Sequence, residues 1–364
     1  MCYMKTKIKV VPVIPSLNPD QKLIDYVSAL IKLGFEKIII VNDGSSQKHD
    51  KYFDKLIDKK ECIILKHTVN KGKGSALKTA FNYYLENFSN YDGVVTADSD
   101  GQHSPEDTLK VALKLSTNKN SLVLGTRDFN EKQVPFKSRY GNKITTFVFK
   151  LFYDKKINDT QTGLRGLSNE FIKTCLVLPG ERFDYEINML IEAVDKKINI
   201  IEETIETIYI GDNASSSFNP LNDSIRIYKV MLGKFLKFYF SGIFSFIVDI
   251  MLFILFSSFM FNNLLDHYSI IISTAMARII SSLINYTLNR NVVFGSKVKN
   301  NKLLFKYYSL CIIKMIVSAL LVSLLFNITI MGKSVCKIIV DMFLLVISYK
   351  IQQKFIFIKE SSYV

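Results

Sequence analysis

The sequence predicts an α/β domain with a mostly parallel sheet, followed by an all-α four-helix transmembrane domain. Two observations carry that expectation. Up to about Lys234 the apolar runs are short and broken by turn residues; four long apolar stretches then follow, near 238–261, 269–289, 305–330 and 335–358. Each is close to the ~20 residues that span a bilayer. Charge divides at the same place, because from Lys237 onward there are 13 Lys and Arg against 4 Asp and Glu, so +9 of the net +14 lies on the apolar half. A chain of 364 residues with mean hydropathy +0.17 accommodates both parts. The expected division is a soluble domain over 1–220, a basic amphipathic helix over 221–236 and the membrane domain over 237–364.

In the soluble half, strand and helix signals alternate. Residues 8–14 read as a strand, and Asn18-Pro19 supplies an N-cap and a first-turn proline. The helix that follows places Leu23, Ile24, Val27, Leu30 and Ile31 on one face and stops at Gly34. Further strands are expected at 37–41, 62–65, 94–97 and 121–124, and a helix at 75–87. This repetition argues for a parallel sheet covered on both faces.

Composition excludes some functions. The basic residues flank apolar spans and form no cluster on a soluble helix, which argues against nucleic acid and for anionic lipid. The five Cys have no paired spacing and the four His no metal motif, so reduced thiols are expected. Lys5, Lys7 and Lys9 interrupt the first apolar run, so no cleavable signal peptide is expected.

Polar residues collect where such a fold places its ligand, beyond the carboxyl ends of the strands. Residues 91–107 read as a strand running into Asp98 and Asp100, with no basic residue beside them in the sequence. Two such acids suit a hard cation, Mg²⁺ or Mn²⁺, that holds a diphosphate; a polar turn is the plainer alternative. Asp43, after the second strand, can accept hydrogen bonds from a base or ribose, or serve as a turn residue. Asn70-Lys71-Gly72-Lys73-Gly74 precedes a helix, where backbone N–H groups favour phosphate. It is not a Walker A loop.

Eight motifs in order carry a resemblance: VIPSLNPD (13–20), VNDGSS (41–46), NKGKGSALKTAF (70–81), ADSDGQH (97–103), GTRDF (125–129), SRYGN (138–142), DTQTGLRG (159–166) and ERFDYEINML (181–190). Over about 8–230 the chain resembles family 2 glycosyltransferases, in the branch of dolichyl-phosphate mannose synthase and polyprenyl-phosphate glucosyltransferases. The resemblance implies a Rossmann-like GT-A fold and inverting transfer from a UDP- or GDP-hexose to a polyprenyl phosphate. It implies a donor site of Pro15, Asp43, Lys71, Gly72, Gly74 and Asp98, and a metal on Asp98, Asp100 and Gln102. Asp98, Asp100, Arg127 and Arg139 become the catalytic set, with Arg127, Arg139 and Arg165 toward the acceptor phosphate. Departures are Leu17, Pro19, Asn42 and the segment 213–218, which lacks the usual basic or His residue. Glu181, Arg182, Asp184 and Glu186 open a helix near the acceptor side; acids there are also expected from the helix dipole alone.

In the apolar half, FSGIFSFIVDIMLF (240–253), ARIISSLINYTLNRNVVF (277–294) and VDMFLLVISYKIQQKFIF (340–357) resemble the GtrA-like four-helix membrane family. That resemblance implies a role with lipid-linked sugar and allows a homo-oligomer. The 262–268 connection carries no Lys or Arg, whereas 290–306 carries Arg290, Lys297, Lys299, Lys302 and Lys306. The positive-inside rule then places both termini and the soluble domain in the cytoplasm, at the plasma membrane. Two other functions stay open here. A processive polysaccharide synthase would carry a Gln-x-x-Arg-Trp motif, and the chain has no Trp. A transporter of lipid-linked sugar with an inactive soluble domain is opposed by the intact Asp98-Ser-Asp100.

Overall fold

The computed structural model describes residues 8–88, 90–129, 134–206, 222–261, 265–296 and 302–357. The chain forms two compact units, Met1–Met231 and Leu232–Val364. The expected boundary at 220 and the segment 213–218 lie outside the described residues, as do Lys5, Lys7, Lys297 and Lys299.

In the first unit the elements run β1 (Val10–Ser16), α1 (Gln21–Lys32), β2 (Ile38–Asp43), α2 (Asp50–Ile57), β3 (Cys62–His67), α3 (Lys73–Asn87), β4 (Gly93–Thr96), α4 (Pro105–Thr117) and β5 (Ser121–Arg127). They continue with α5 (Phe136–Tyr153), β6 (Arg165–Ser168), α6 (Asn169–Leu176), α7 (Asp184–Asp195) and β7 (Asn199–Ile205). One seven-stranded sheet has the order β3-β2-β1-β4-β6-β5-β7. Six strands run parallel; β6 alone runs antiparallel between β4 and β5.

Strand sequence explains the two layers. All of β1 is buried, and its residues alternate between faces, so an unbroken apolar run is what a doubly covered strand requires. Val11, Val13, Ile39 and Val41 pack with Ala76, Leu77, Ala80 and Phe81 of α3, Phe149 of α5 and Leu190 of α7. Val10, Ile14, Ile38 and Ile40 pack on the other face with Leu23, Val27 and Leu30 of α1, Phe53 of α2 and Val111 and Leu115 of α4. Caps fix the helix starts. Asp20 accepts from Lys22 N–H before α1, and Ser104 accepts from Asp107 N–H ahead of Pro105 in α4. The chain passes from edge strand β3 back across β1 to β4. That switch opens a crevice at the carboxyl ends of β1 and β4.

From Asn222 on, the amphipathic segment expected at 221–236 lies within a longer helix, α8 (Asn222–Leu255), which begins in the first unit. Its Ile227 and Met231 are buried in that unit's core, and Tyr153 Oη donates to the Met231 carbonyl at 3.0 Å.

The second unit contains the rest of α8, α9 (Asp266–Leu288), α10 (Lys302–Ile328) and α11 (Lys333–Ile351). Single π-turns follow α8, α9 and α11, at Phe256–Met260, Asn289–Val293 and Gln352–Ile356. Three described helices are long and apolar enough to cross a membrane: Asn222–Met260, Asp266–Val293 and Lys302–Ile328. The fourth expected stretch corresponds to α11, which has 19 residues and carries Lys337, Asp341 and Lys350. Side-chain amides link the four helices. Asn289 accepts from Ser241 Oγ at 2.5 Å and donates to Asn285 Oδ1 at 2.9 Å and Gln352 Oε1 at 3.1 Å. Tyr307 Oη donates to Asn285 Oδ1 at 2.7 Å, and Asn289 is fully buried.

Candidate functional site

A cavity of about 790 Å³ opens at the carboxyl ends of β1, β2, β4 and β5. Pro15, Ser16 and Leu17 line one part, with Asp43 behind them. Asp98, Asp100, Gln102 and His103 form its floor after β4. Arg127 and Phe129 follow β5, and Ser138, Gly141, Asn142 and Thr145 contribute one face of α5. Arg182, Phe183 and Glu186 enter from the start of α7.

The acidic centre is not free of cations, contrary to the sequence expectation. Lys73, the first residue of α3, places Nζ 2.6 Å from Asp98 Oδ1 and 3.0 Å from Glu186 Oε1. His103 Nε2 lies 3.4 Å from Asp98 Oδ2, within ionic reach but without hydrogen-bond alignment. Folding brings these groups together because α3 and α7 both begin, and the loop after β4 runs, at the same crevice. Burial by itself pushes the Asp98 carboxyl up, but the Lys73 ammonium and then His103 outweigh it and hold its pKa well below the usual carboxylate range. Burial and then the Asp98 charge push Asp100 up. Burial opposes charge on Lys73, yet Asp98 and Glu186 together raise its pKa above the ordinary lysine value. Gly163 closes over this cluster: a Cβ there would collide with Asp98 Oδ2, and would stand 2.9 Å from Asp98 Cγ and 3.0 Å from Lys73 Nζ.

Asp43 is 4% exposed and heavily engaged. Its Oδ1 accepts from Lys71 N–H at 2.9 Å and pairs with His67 Nδ1 at 2.7 Å, while Oδ2 accepts from Gly72 N–H at 2.8 Å. The backbone N–H groups expected to cradle phosphate therefore bind a carboxylate instead. Ser75 N–H is likewise taken, by the Glu181 carbonyl at 3.1 Å. Lys71 is exposed and does not line the cavity, whereas Gly72 does. Gly72, at φ +94°, and Gly74 let α3 approach the start of α7; a Cβ on Gly74 would stand 2.6 Å from Tyr185 Cβ.

The three arginines separate. Arg127 lines the cavity and forms a two-point pair with the fully buried Asp159, Nε to Oδ2 at 2.7 Å and Nη2 to Oδ1 at 3.2 Å. Its guanidinium also lies 5.1 Å from the Phe129 ring centroid. Arg139 is half-buried in the first turn of α5, next to cavity-lining Ser138, but is not itself among the lining residues. Arg165, expected toward the acceptor phosphate, is fully buried on β6. It donates to the carbonyls of Thr162 (2.8 Å), Glu186 (2.6 Å) and Thr160 (3.3 Å), so it braces the 159–166 loop against α7.

Sequence reasoning missed Lys73 and Asp159 as parts of the centre. The faint signals were Lys73 beside Gly74 at a helix start, and Asp159 opening the 159–166 motif.

α5 has two faces. Ser138, Asn142 and Thr145 look into the cavity, while Phe136, Tyr140, Ile144 and Phe147 are exposed, Phe136 by 69% and Phe147 by 65%. Three aromatic rings and Ile144 thus form one exposed apolar stripe along α5, a kind of patch that soluble surfaces rarely carry.

Residues 13–176 match the model of glycosyl transferase family 2, and residues 237–357 match the GtrA/DPMS transmembrane domain. The uncharacterised protein MJ1222 of Methanocaldococcus jannaschii is 30% identical over 233 residues, 63% of this chain and 93% of that protein. A Methanococcus voltae protein named UDP-N-acetylglucosamine–dolichyl-phosphate N-acetylglucosaminyltransferase is 29% identical over 239 residues, 61% of this chain and 94% of its own. Among solved structures, mannosyl-3-phosphoglycerate synthase from Rubrobacter xylanophilus is similar with TM-score 0.45 and 16% identity, covering 61% of this chain and 71% of that one. A doubly covered parallel sheet with its polar cavity at the strand ends, followed by a bundle of apolar helices, is thus a GT-A catalytic unit on a membrane anchor, and the chain belongs to glycosyltransferase family 2, with a GtrA/DPMS transmembrane domain.

Proposed function

We propose that this enzyme transfers a hexose, from UDP-glucose first among donors, to a polyprenyl phosphate in the bilayer, inverting the anomeric carbon. One observation carries the reading. A single cavity joins the acidic centre after β4 to one face of α5, whose opposite face is an exposed aromatic stripe suited to a lipid surface. A donor and a membrane-borne acceptor can meet there.

The residues fit a divalent cation. Asp98, Asp100 and the Gln102 amide are hard oxygen donors, and Asp100 is pushed up by burial and then by the Asp98 charge, the second of which a cation relieves. Among the described residues no larger cluster of His, Cys, Asp or Glu is arranged for a metal. Two carboxylates suffice for Mg²⁺ or Mn²⁺, which keep waters and substrate phosphates as further ligands. Held there, the cation would neutralise charge on the departing diphosphate. Pro15 and Asp43 stand toward the nucleotide, Asp43 with one lone pair of Oδ2 still open. Arg127, fixed in orientation by Asp159, would hold the acceptor phosphate, with Arg139 nearby. That phosphate is already an anion, so it needs no strong base. The uneven Lys and Arg content of the connecting loops supports a cytoplasmic catalytic unit and termini. α11 serves as the fourth span, with Lys337 and Asp341 paired at 3.0 Å.

The Methanococcus voltae relative's name favours UDP-N-acetylglucosamine as the second donor, ahead of GDP-mannose. The test incubates purified protein with radiolabelled UDP-glucose, UDP-N-acetylglucosamine or GDP-mannose and undecaprenyl phosphate, with Mn²⁺ or with EDTA. Labelled lipid should form with a UDP-sugar, require the metal and vanish in Asp100→Ala. No labelled lipid from any donor, or normal turnover by Asp100→Ala, sinks the reading.

A further inference from the structure

We propose that Lys73 is a resident counter-cation that competes with the divalent metal for Asp98, so that metal and nucleotide are taken up together. The inference rests on the reading that Asp98 binds a divalent cation. The cavity gathers three carboxylates, Asp98, Asp100 and Glu186, and the Lys73 ammonium sits between two of them, 2.6 Å from Asp98 and 3.0 Å from Glu186. Its side chain is 13% exposed, and the Phe183 ring centroid lies 5.5 Å from Nζ. Without a metal, this ammonium balances charge that would otherwise be stranded in a mostly buried site.

The same contact opposes metal entry. A divalent ion on Asp98 meets a positive charge already bound to that carboxylate, and the two cations repel. A diphosphate resolves the conflict, because its own negative charge gives Lys73 a partner to replace Asp98. Glu186 keeps the ammonium in the cavity during the exchange, and Gly163 leaves room for no further side chain over the pair. Metal and nucleotide thereby favour one another's binding, and by linkage the coupling is equal in both directions. Lys73 is a positioning residue for this exchange, and metal binding reads its role directly.

The test measures Mn²⁺ binding to full-length protein in detergent by calorimetry and electron paramagnetic resonance, with and without UDP. Wild-type protein should bind Mn²⁺ weakly alone and more tightly with UDP. Lys73→Met should bind Mn²⁺ alone at least about tenfold more tightly and lose most of the UDP enhancement. Lys73→Arg, which keeps the charge, should retain the wild-type pattern. Lys73→Met leaves Glu186 buried without its cation, so Lys73→Met/Glu186→Gln serves as the variant safe for folding, with a smaller tightening expected because it loses an anion of the site as well as the competing cation. Mn²⁺ affinity that is unchanged or weaker in both variants overturns the role of Lys73 alone. A wild-type protein that binds no Mn²⁺, with UDP or without it, sinks the metal reading and this inference with it.

Discussion

Gly163→Ala separates damage to the centre from damage to the fold. The added methyl would overlap Asp98 Oδ2 and lie 2.9 Å from Asp98 Cγ and 3.0 Å from Lys73 Nζ. Ordinary carbon contacts begin near 3.5 Å, so these groups must move by about half an ångström or more. The atoms that yield are ends of side chains in a cavity, not packed backbone. The stability cost therefore falls at the low end for overpacking, about 1 kcal/mol. Activity has no such latitude, because the displaced carboxylate is the one expected to hold the metal. A misplacement near 1 Å costs about 100-fold in rate, roughly 2.7 kcal/mol of barrier. Thermal unfolding in detergent and formation of labelled lipid, measured on one preparation, should show a small shift in melting and a hundredfold fall in turnover. Turnover within threefold of wild type would refute the reasoning, as would a loss of stability large enough to account for the inactivity.

Asp159→Ala removes the buried partner of Arg127 and should destabilise the first unit by about 1.5–3 kcal/mol; it should raise KM for the lipid acceptor while leaving UDP affinity, read by calorimetry, unchanged. In EDTA, Asp100→Asn should gain stability over wild type as pH rises. The folded-state pKa of Asp100 is raised, so its ionisation costs stability above the unfolded carboxyl value near 3.9, and the gain should vanish below that pH. Phe136→Ser/Phe147→Ser alters only the exposed face of α5, so turnover on a short water-soluble acceptor should survive while use of undecaprenyl phosphate in vesicles falls about tenfold or more.

The parallel strands β1 to β5 were legible because each is an apolar run that ends in turn residues. β6 was not: it has four residues, opens with Arg165, and runs against its neighbours, so neither periodicity nor hydrophobicity announces it. That blind spot also explains the misreading of Arg165. In a loop an arginine beside glycines looks available to a ligand; on a central strand its guanidinium must be met by protein carbonyls. Asp98 and Asp100 stood out through their spacing after a strand. The ammonium beside Asp98 did not, because Lys73 and its second partner, the Glu186 carboxylate, reach the site only through the tertiary fold. Sequence could mark Lys71 and Lys73 alike; topology alone separates the exposed one from the buried one. In the membrane unit, length and apolarity announced all four helices, and α11, with Lys337, Asp341 and Lys350, is the one that the described structure does not count among the helices apolar enough to span.

Asn289 joins residues from α8, α9 and α11 through bonds that lipid cannot replace. Prising these helices apart at that level would leave several amide and hydroxyl groups facing hydrocarbon, at several kcal/mol for each. The anchor is thus hinged shut at the level of Ser241, Asn285 and Gln352. Any separation of these helices is therefore expected at their opposite ends rather than at this level.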